Sequence, residues 1–495
     1  MTITLEELVS LCKRRGIIFP SSEIYGGFAG FFDYGPVGVE IRKNLLDWWW
    51  DFFVRQRDDV LGLYPAIIMN PRVWIASGHV ERFIDWIVEC KNCHGLYRAD
   101  ELLEEKGIKI TDYSPEALSK LIKEHNVRCP SCGGELSEPR KFNLMMETYI
   151  GPIKDETSIA YLRPETAQAM FVNFKLYVTY ARNRLPFGIA AFGKVFRNEI
   201  SPRGFIFRCR EFEIAEIEYF IDPERANDCP YFHEVDKIIV KIWTKETQKK
   251  GEEPKEMSIG DAYNDGVFSN MWHAYWVGKS LEWFSQIGIS LEHLRVREHL
   301  ETELAHYALQ TFDIEYYFPF MGWKEIEGIA NRTDYDLKHH MKFSKEKLYV
   351  PLSGRKVIPH CIEPSWGVER TFFAVITEAY TKTSDGRVFL KLHPKLAPYI
   401  AGVYPLLSRE PFITKAREVH KLLKKKFTCY LDVSGSIGRR YARADEIGVP
   451  FGITIDHQTL EDDTVTIRFR DTREQIRVKI SDLVKTIEEL IEKWE

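Results

Sequence analysis

Two short stretches carry residue types suited to binding a phosphorylated, aromatic ligand. Phe196-Arg197-Asn198-Glu199 is followed by Phe207-Arg208-Cys209-Arg210-Glu211-Phe212, and the loop Ile200-Ser201-Pro202-Arg203-Gly204 joins them. Both stretches look strand-like, and as an antiparallel pair they offer cations and a ring to one ligand. A guanidinium fork suits bidentate contact with phosphate, and an aromatic ring suits a stacked base. A solvated strand pair laced by cross-strand ion pairs has the same composition, and composition alone weighs the two about equally.

A second group of chemistry-bearing residues is Cys90-x2-Cys93 and, 35 residues later, Cys129-x2-Cys132. Two such pairs supply four thiolates with tetrahedral reach, the donor set of a structural Zn2+ with no open position for chemistry. The link exceeds the usual spacing of about 15–20 residues, so it must be a folded excursion or a loose loop. The competing reading is four unmetallated cysteines. The chain has nine cysteines, an odd number, and the other five are scattered, which argues against an extracellular disulfide framework. Gly278-Lys279-Ser280 ends like a phosphate-binding loop, but His273 stands where that pattern needs glycine.

The elements that must position these residues fall into several regions. With 495 residues, two to four domains are expected. Hydrophobic residues make up 44% and charged residues 28%, the mix of an ordinary globular protein, and the net charge of −5 leaves nucleic-acid binding open because only a local patch must be basic. No apolar run approaches the roughly 20 residues of a membrane span. Met1 to Glu7 lacks a basic region followed by an apolar one, so a cytoplasmic protein is expected. Thr4 with Glu7 predicts a capped helix start, and the apolar spacing from Val39 to Val54 predicts a helix buried along a broad face. Residues 1–88 and 142–387 read as one domain, interrupted by a cysteine-bearing module at 89–141 and a mostly helical insertion at 225–315. The last region, 388–495, reads as a compact mixed α/β unit, with strands at Cys429–Val433, Pro450–Ile455 and Thr464–Phe469 and helices at Lys415–Lys426 and Ile437–Ile447.

As a whole, the Phe196–Phe212 arrangement resembles motif 2 of class II aminoacyl-tRNA synthetases. Motif 3 of that class, a strand, a glycine turn and a helix beginning near an arginine, is matched by Cys361-Ile362-Glu363-Pro364-Ser365-Trp366-Gly367-Val368-Glu369-Arg370. Tyr34-Gly35-Pro36-Val37-Gly38 is similar to motif 1. The stretches Trp74-Ile75-Ala76-Ser77-Gly78-His79-Val80 and Leu162-Arg163-Pro164-Glu165-Thr166-Ala167-Gln168, with Glu363-Pro364-Ser365, resemble the homodimeric glycyl-tRNA synthetases over nearly the whole chain.

That resemblance implies a fold of the α/β (α+β) type: an antiparallel-sheet catalytic domain with insertions, and a C-terminal mixed α/β anticodon-binding domain. It implies that ATP and Mg2+ are used to activate glycine, which is then passed to the 3′ end of tRNA-Gly by a homodimer with no membrane association. Arg197 would grip the α-phosphate, Glu199 would read the adenine amino group, Phe212 would stack on the ring, and Arg370 would cover its other face; these imply Arg197, Glu199 and Arg370 as catalytic. Asn198, Phe207, Arg208, Arg210, Glu325, Ile326 and Gly367 complete the implied ATP set. Arg98, Glu165, Glu213, Glu216, Glu363 and Ser365, with Phe212 and Gly367, are the implied glycine set. A substrate without a side chain offers only its ammonium, carboxylate and Cα hydrogens, so carboxylates around the ammonium and walls against a Cβ suit it. Arg439, Arg440 and Arg443 are candidates for RNA contact in the C-terminal domain. The alternative is a non-catalytic nucleic-acid-binding subunit on the same fold, which would be expected to lose Arg197, Glu199 or Arg370.

Overall fold

The computed structural model describes residues 3–352 and 354–494. Met1 and Thr2, part of the N-terminal stretch read above, lie outside them.

A nine-stranded sheet organises the larger part of the chain. Its strands are β1 (Val60–Gly62), β2 (Phe187–Phe196), β3 (Glu211–Ile221), β4 (Ile239–Trp243), β5 (Lys255–Ser258), β6 (Leu294–Glu298), β7 (Gln310–Phe318), β8 (Gly322–Thr333) and β9 (His360–Gly367). They lie in the order β5-β4-β6-β7-β8-β9-β3-β2-β1. All neighbours are antiparallel except β4 with β6 and β1 with β2. Four helices matter for the site: α1 (Gly38–Trp50), α2 (Ala167–Tyr180), α3 (Met271–Gln286) and α4 (Val368–Ala379).

The two faces of the sheet follow from the period of two along each strand. On β3, Ala215, Ile217 and Tyr219 enter the main core, and on β9 Trp366 does the same. Trp366 meets Trp49 of α1 and Phe53, with ring centroids 5.4 and 4.6 Å apart, while Tyr219 meets Trp276 of α3 at 5.0 Å. The alternate residues face α2: Phe220 packs against Phe171 and Phe174. Nearer the middle of the same face, β3 presents Glu216 and Glu218, both buried. The helix expected from Val39 forms as α1 and runs on through a π-helical turn, Asp51–Arg55. Its start is seated by close backbone approach, since a Cβ on Gly38 would overlap the Ile17 carbonyl oxygen. Thr4 and Glu7 make the expected capping box.

Residues 225–315 hold the helices Lys245–Lys250, Ile259–Asn264 and α3, and with them β4, β5, β6 and most of β7, which extend the nine-stranded sheet. Ile239–Trp243 is short and charged around its apolar positions, and its pairing partner Leu294–Glu298 is some fifty residues away. Short strands paired over such distances leave a weak local signal.

The cysteine-bearing module has its own three-stranded sheet, Leu96–Arg98, Ile84–Glu89 and Arg140–Asn143, with helices Ala99–Glu104 and Pro115–Glu124 and a separate small core. The long link between the cysteine pairs is thus a folded excursion. At the C-terminal end the five-stranded sheet begins at Ala401, later than residue 388: Val388–Leu390 pairs with Tyr380–Lys382, and Leu390, Leu392 and Leu396 pack in the main core. The order is Cys429–Leu431, Ala401–Pro405, Phe451–Ile455, Thr464–Phe469, Gln475–Lys479, parallel among the first three strands and antiparallel beyond. Helices Phe412–Leu423 and Ile437–Glu446 match the expected ones closely.

Candidate active site

β2 and β3 form one long antiparallel hairpin, and Arg197 and Glu199 follow directly where β2 ends. Gly204, at φ 70°, turns the loop back into the short helical turn Phe205–Phe207. β9 runs straight into α4, whose third residue is Arg370. A Cβ on Gly367 would stand 3.2 Å from Arg370 Cδ, so glycine there lets the arginine fold back over the strand end. Arg197, Glu199, Phe207, Arg208, Phe212, Glu325, Ser365, Gly367 and Arg370 thereby line one cleft of about 640 Å³, open mouth included.

Within that cleft the cations are held against rings. The Arg197 guanidinium carbon lies 5.3 Å from the Phe212 ring centroid and 5.4 Å from that of Phe83. Arg370 lies 4.7 Å from the Phe207 ring and donates to Glu325 Oε2 at 2.8 Å. Burial opposes the Glu325 charge, but Arg370 holds its carboxyl below the usual range. Glu199 Oε2 is buried with no hydrogen-bond partner among the described residues, an acceptor facing a cleft with room for a donor.

Behind Ser365 the cleft meets a buried acidic pocket. Glu216 Oε1 accepts from Ser365 Oγ at 2.8 Å, and Oε2 accepts from the Thr166 and Ala167 amides at 2.8 and 3.0 Å. The latter contacts place the carboxylate on the N-terminus of α2, a favourable position for negative charge. Glu165 accepts from Gln168 Nε2 at 3.0 Å and stands 3.3 Å from His79 Nε2, whose Nδ1 is 2.8 Å from Ser77 Oγ. Arg197 Nε donates to the carbonyl of Pro164, joining the pocket to the phosphate-binding end. Pro164 is itself seated by Arg163, which is buried and donates to the carbonyls of Lys194, Pro65 and Ala66.

One residue absent from the expected set sits at the centre of this pocket. Arg332, 1% exposed, donates to Asp336 at 2.8 and 3.0 Å and to Glu363 at 2.7 Å, and lies 3.8 Å from Glu165. Its guanidinium carbon is 3.8 Å from the Tyr307 ring centroid. Glu165, Glu363 and Asp336 thus share Arg332 as a buried cation, and its charge also reaches Glu218. Burial lifts Glu363 to about 8 even with Arg332 opposing it, and burial and the neighbouring Glu165 raise Glu216. His79 and Arg332 outweigh burial at Glu165 and hold its carboxyl well below the usual range. Asp336 and His340 lie outside every stretch quoted above, whereas Gln168, to which His340 donates at 2.7 Å, ends the Leu162–Gln168 stretch. The i,i+4 spacing of Arg332 and Asp336 was the one local signal available.

Several expected residues lie elsewhere. The Glu213 side chain points to the opposite face of β3 from Phe212 and Glu216 and pairs with Arg42 of α1. The Ile326 side chain is buried in the main core. Arg210 braces the hairpin from outside, donating to the Glu199 and Ala29 carbonyls at 2.8 and 3.1 Å. Asn198 anchors the strand end through its amide, which donates to Leu144 O at 2.8 Å. Arg98 lies on the module strand, where it pairs with Asp85, Asp100 and Glu101 and does not line the cleft. In the C-terminal unit Arg440 is a structural residue, 1% exposed and bonded to the Pro405, Val433 and Gly435 carbonyls, while Arg443 pairs with Asp432 and Arg439 stays exposed.

The four cysteine Sγ atoms lie within 4.8 Å of one another, a spacing that fits a shared metal ion. No helix among the described residues is long and apolar enough to cross a membrane.

Residues 152–380 match the family model of the tRNA synthetase class II core domain (G, H, P, S and T), and residues 401–490 match that of the anticodon binding domain. The chain is 44% identical over 499 residues to the glycine–tRNA ligase of Caldanaerobacter subterraneus, covering 98% of both chains. It is 40% identical over 565 residues to that of Pyrococcus furiosus, covering 98% of this chain and 99% of the relative. Among solved structures, prolyl-tRNA synthetase from Cryptosporidium parvum, complexed with halofuginone and AMPPNP, superposes with a TM-score of 0.60 at 14% identity, covering 98% of this chain and 77% of the other, a likeness of fold alone.

Proposed function

From the premise that this chain belongs to the class II tRNA synthetases and, within them, to the glycine–tRNA ligase family, we propose that the cleft and the acidic pocket behind it are where ATP and glycine meet. The observation that carries this reading is their junction: Ser365 and Arg197 belong to both the arginine-lined cleft and the carboxylate pocket. The enzyme activates glycine with ATP and transfers it to tRNA; nothing favours the non-catalytic alternative, since Arg197, Glu199 and Arg370 are all present.

In this reading the glycine ammonium donates to Glu165 and Glu216, and the Glu216–Ser365 contact closes the space a Cβ would need. The glycine carboxylate, already a nucleophile, attacks the α-phosphorus of ATP in line, and pyrophosphate leaves. Arg197 neutralises charge on the α-phosphate, held in place by two rings and the Pro164 carbonyl. Arg370 and Arg208 take the outer phosphates, Phe212 stacks on the adenine, and the orphaned Glu199 oxygen accepts from its amino group. Glu325 would help hold a Mg2+ brought by ATP, which would supply further charge neutralisation. Rate then derives from positioning and fixed charge, with no protein base required in the first step. The terminal ribose hydroxyl of tRNA-Gly next takes the glycyl group from the adenylate.

Amino-acid-dependent ATP–pyrophosphate exchange without tRNA tests the pocket. Exchange is expected with glycine and, at about a hundredth of that rate or less, with alanine, serine, threonine or proline, since each would force a Cβ into closed space. Exchange driven best by another amino acid would overturn the pocket assignment.

We assign the four cysteines to a structural Zn2+, in which they act as thiolates closing the module's fold. Metal analysis of the purified chain is expected to return about one zinc per chain, and Cys93→Ser with Cys132→Ser is expected to lose it. Stripping the metal should open the 89–141 module to proteolysis while the C-terminal unit stays intact; metal-free protein with an equally resistant module would refute the assignment. We propose a homodimer, in which exposed apolar residues such as Tyr64, Ile150, Leu176 and Tyr180 would be covered. The cytoplasm is the expected compartment.

A further inference from the structure

Arg208 lines the cleft, yet the carboxylate that holds it belongs to the inserted module. Glu101, in the first turn of the helix Ala99–Glu104, pairs with Arg208 and also with Arg203 at 3.3 Å. Arg203 lies in the hairpin loop and reaches a second module residue, Glu105, at 2.5 Å. Glu101 is largely buried, and Arg98 stands 3.6 Å from it while pairing with Asp100 at 2.6 Å and Asp85 at 3.3 Å. The residue before Arg98 is Tyr97, whose hydroxyl lies 3.3 Å from Cys129 Sγ and 2.7 Å from Ser131 Oγ. A continuous path therefore runs from the cysteine cluster, through one short strand and one helix turn, to a guanidinium facing the cleft.

We propose that Glu101 is a positioning residue for ATP binding: it holds Arg208 and Arg203 in place before the nucleotide arrives, so that the module sets the geometry of the hairpin loop. This rests on the reading of the cleft as the ATP site. The physical reason is entropic. An arginine side chain loses rotamer freedom when fixed, and one already held by a carboxylate gives up less on meeting phosphate. Its five N–H donors allow contact with Glu101 and a phosphate oxygen together.

The test is ATP–pyrophosphate exchange with glycine, varying each substrate in turn. Glu101→Gln is expected to raise the KM for ATP about tenfold, with kcat within about twofold and the KM for glycine unchanged. In an Arg208→Gln background the same change should add nothing, because its effect passes through Arg208. Glu101→Asp keeps the charge but shortens the reach; it should fold with the wild-type urea midpoint and still raise the KM for ATP severalfold. A wild-type KM for ATP in both Glu101 variants overturns the inference, as does an equal change in the Arg208→Gln background. An unstable Glu101→Gln beside a kinetically normal Glu101→Asp also overturns it, marking Glu101 as purely structural. No glycine-dependent exchange by the wild-type chain would instead bring down the ATP-site reading, and this inference with it.

Discussion

Arg197→Ala is expected to lower glycine-dependent ATP–pyrophosphate exchange by about a thousandfold or more while leaving the folded state intact. The magnitude follows from where the charge sits. Arg197 is the cation that touches both halves of the site, stacked between Phe83 and Phe212 and bonded to the Pro164 carbonyl. In the transition state negative charge gathers on the α-phosphate, where a fixed guanidinium in a partly water-excluded cleft is worth far more than a mobile cation in solvent. Losing its side chain leaves its one carbonyl partner next to an open cleft that water can enter, so the stability cost should be small. Exchange within about tenfold of wild type would place the phosphate elsewhere and undo the assignment of the cleft.

Arg332→Met is expected to act in the opposite way, on stability. Removing it leaves Glu363, Asp336 and Glu165 buried without their shared cation. Breaking a buried pair in this manner costs about 3–5 kcal/mol. The loss should depend on pH. Glu363 already titrates at about 8 in the folded chain, above an ordinary carboxyl near 4.3, so the folded state binds the extra proton in that interval. With Arg332 gone the neighbouring carboxyls are lifted as well. Folding then requires protons that become scarcer as pH rises, and the deficit should be small near pH 4.5 and grow through about pH 8. Urea unfolding at several pH values measures this directly. A deficit that is constant across that range would mean packing against Tyr307 and Phe171, and not charge balance, is what Arg332 contributes.

These two arginines differ in how legible they were. Arg197 announces itself because its neighbours in sequence are its neighbours in function: strand, loop and strand lie within twenty residues, and the period of two decides which side chains share a face. That same rule places Phe212 and Glu216 on one face and the Glu213 side chain on the other. Gly367 with Arg370, and the paired cysteines, are legible for the same reason, since their geometry is set within a turn or a knuckle. The capping of the first helix by Thr4 and Glu7, and the two C-terminal helices, were likewise local.

Only the tertiary structure decided the rest. Arg332 carries the same letter in sequence as any solvated arginine; what makes it central is that Glu165, Asp336 and Glu363 arrive from α2's approach, the helix Tyr335–Ser344 after β8 and the middle of β9. Arg440 is the converse case, expected at an RNA surface and found buried among carbonyls. β4, β5 and β6 could not be read because short strands owe their stability to partners many residues distant, and the sheet they extend exists only once the chain has closed on itself. The contact of Glu101 with Arg208 joins an inserted module to the loop it overlooks, more than a hundred residues along the chain. By itself the sequence determined the chemistry available, through local motifs whose geometry backbone sterics enforce. Burial and charge compensation were decided by the fold, because both depend on which distant groups remove water from one another.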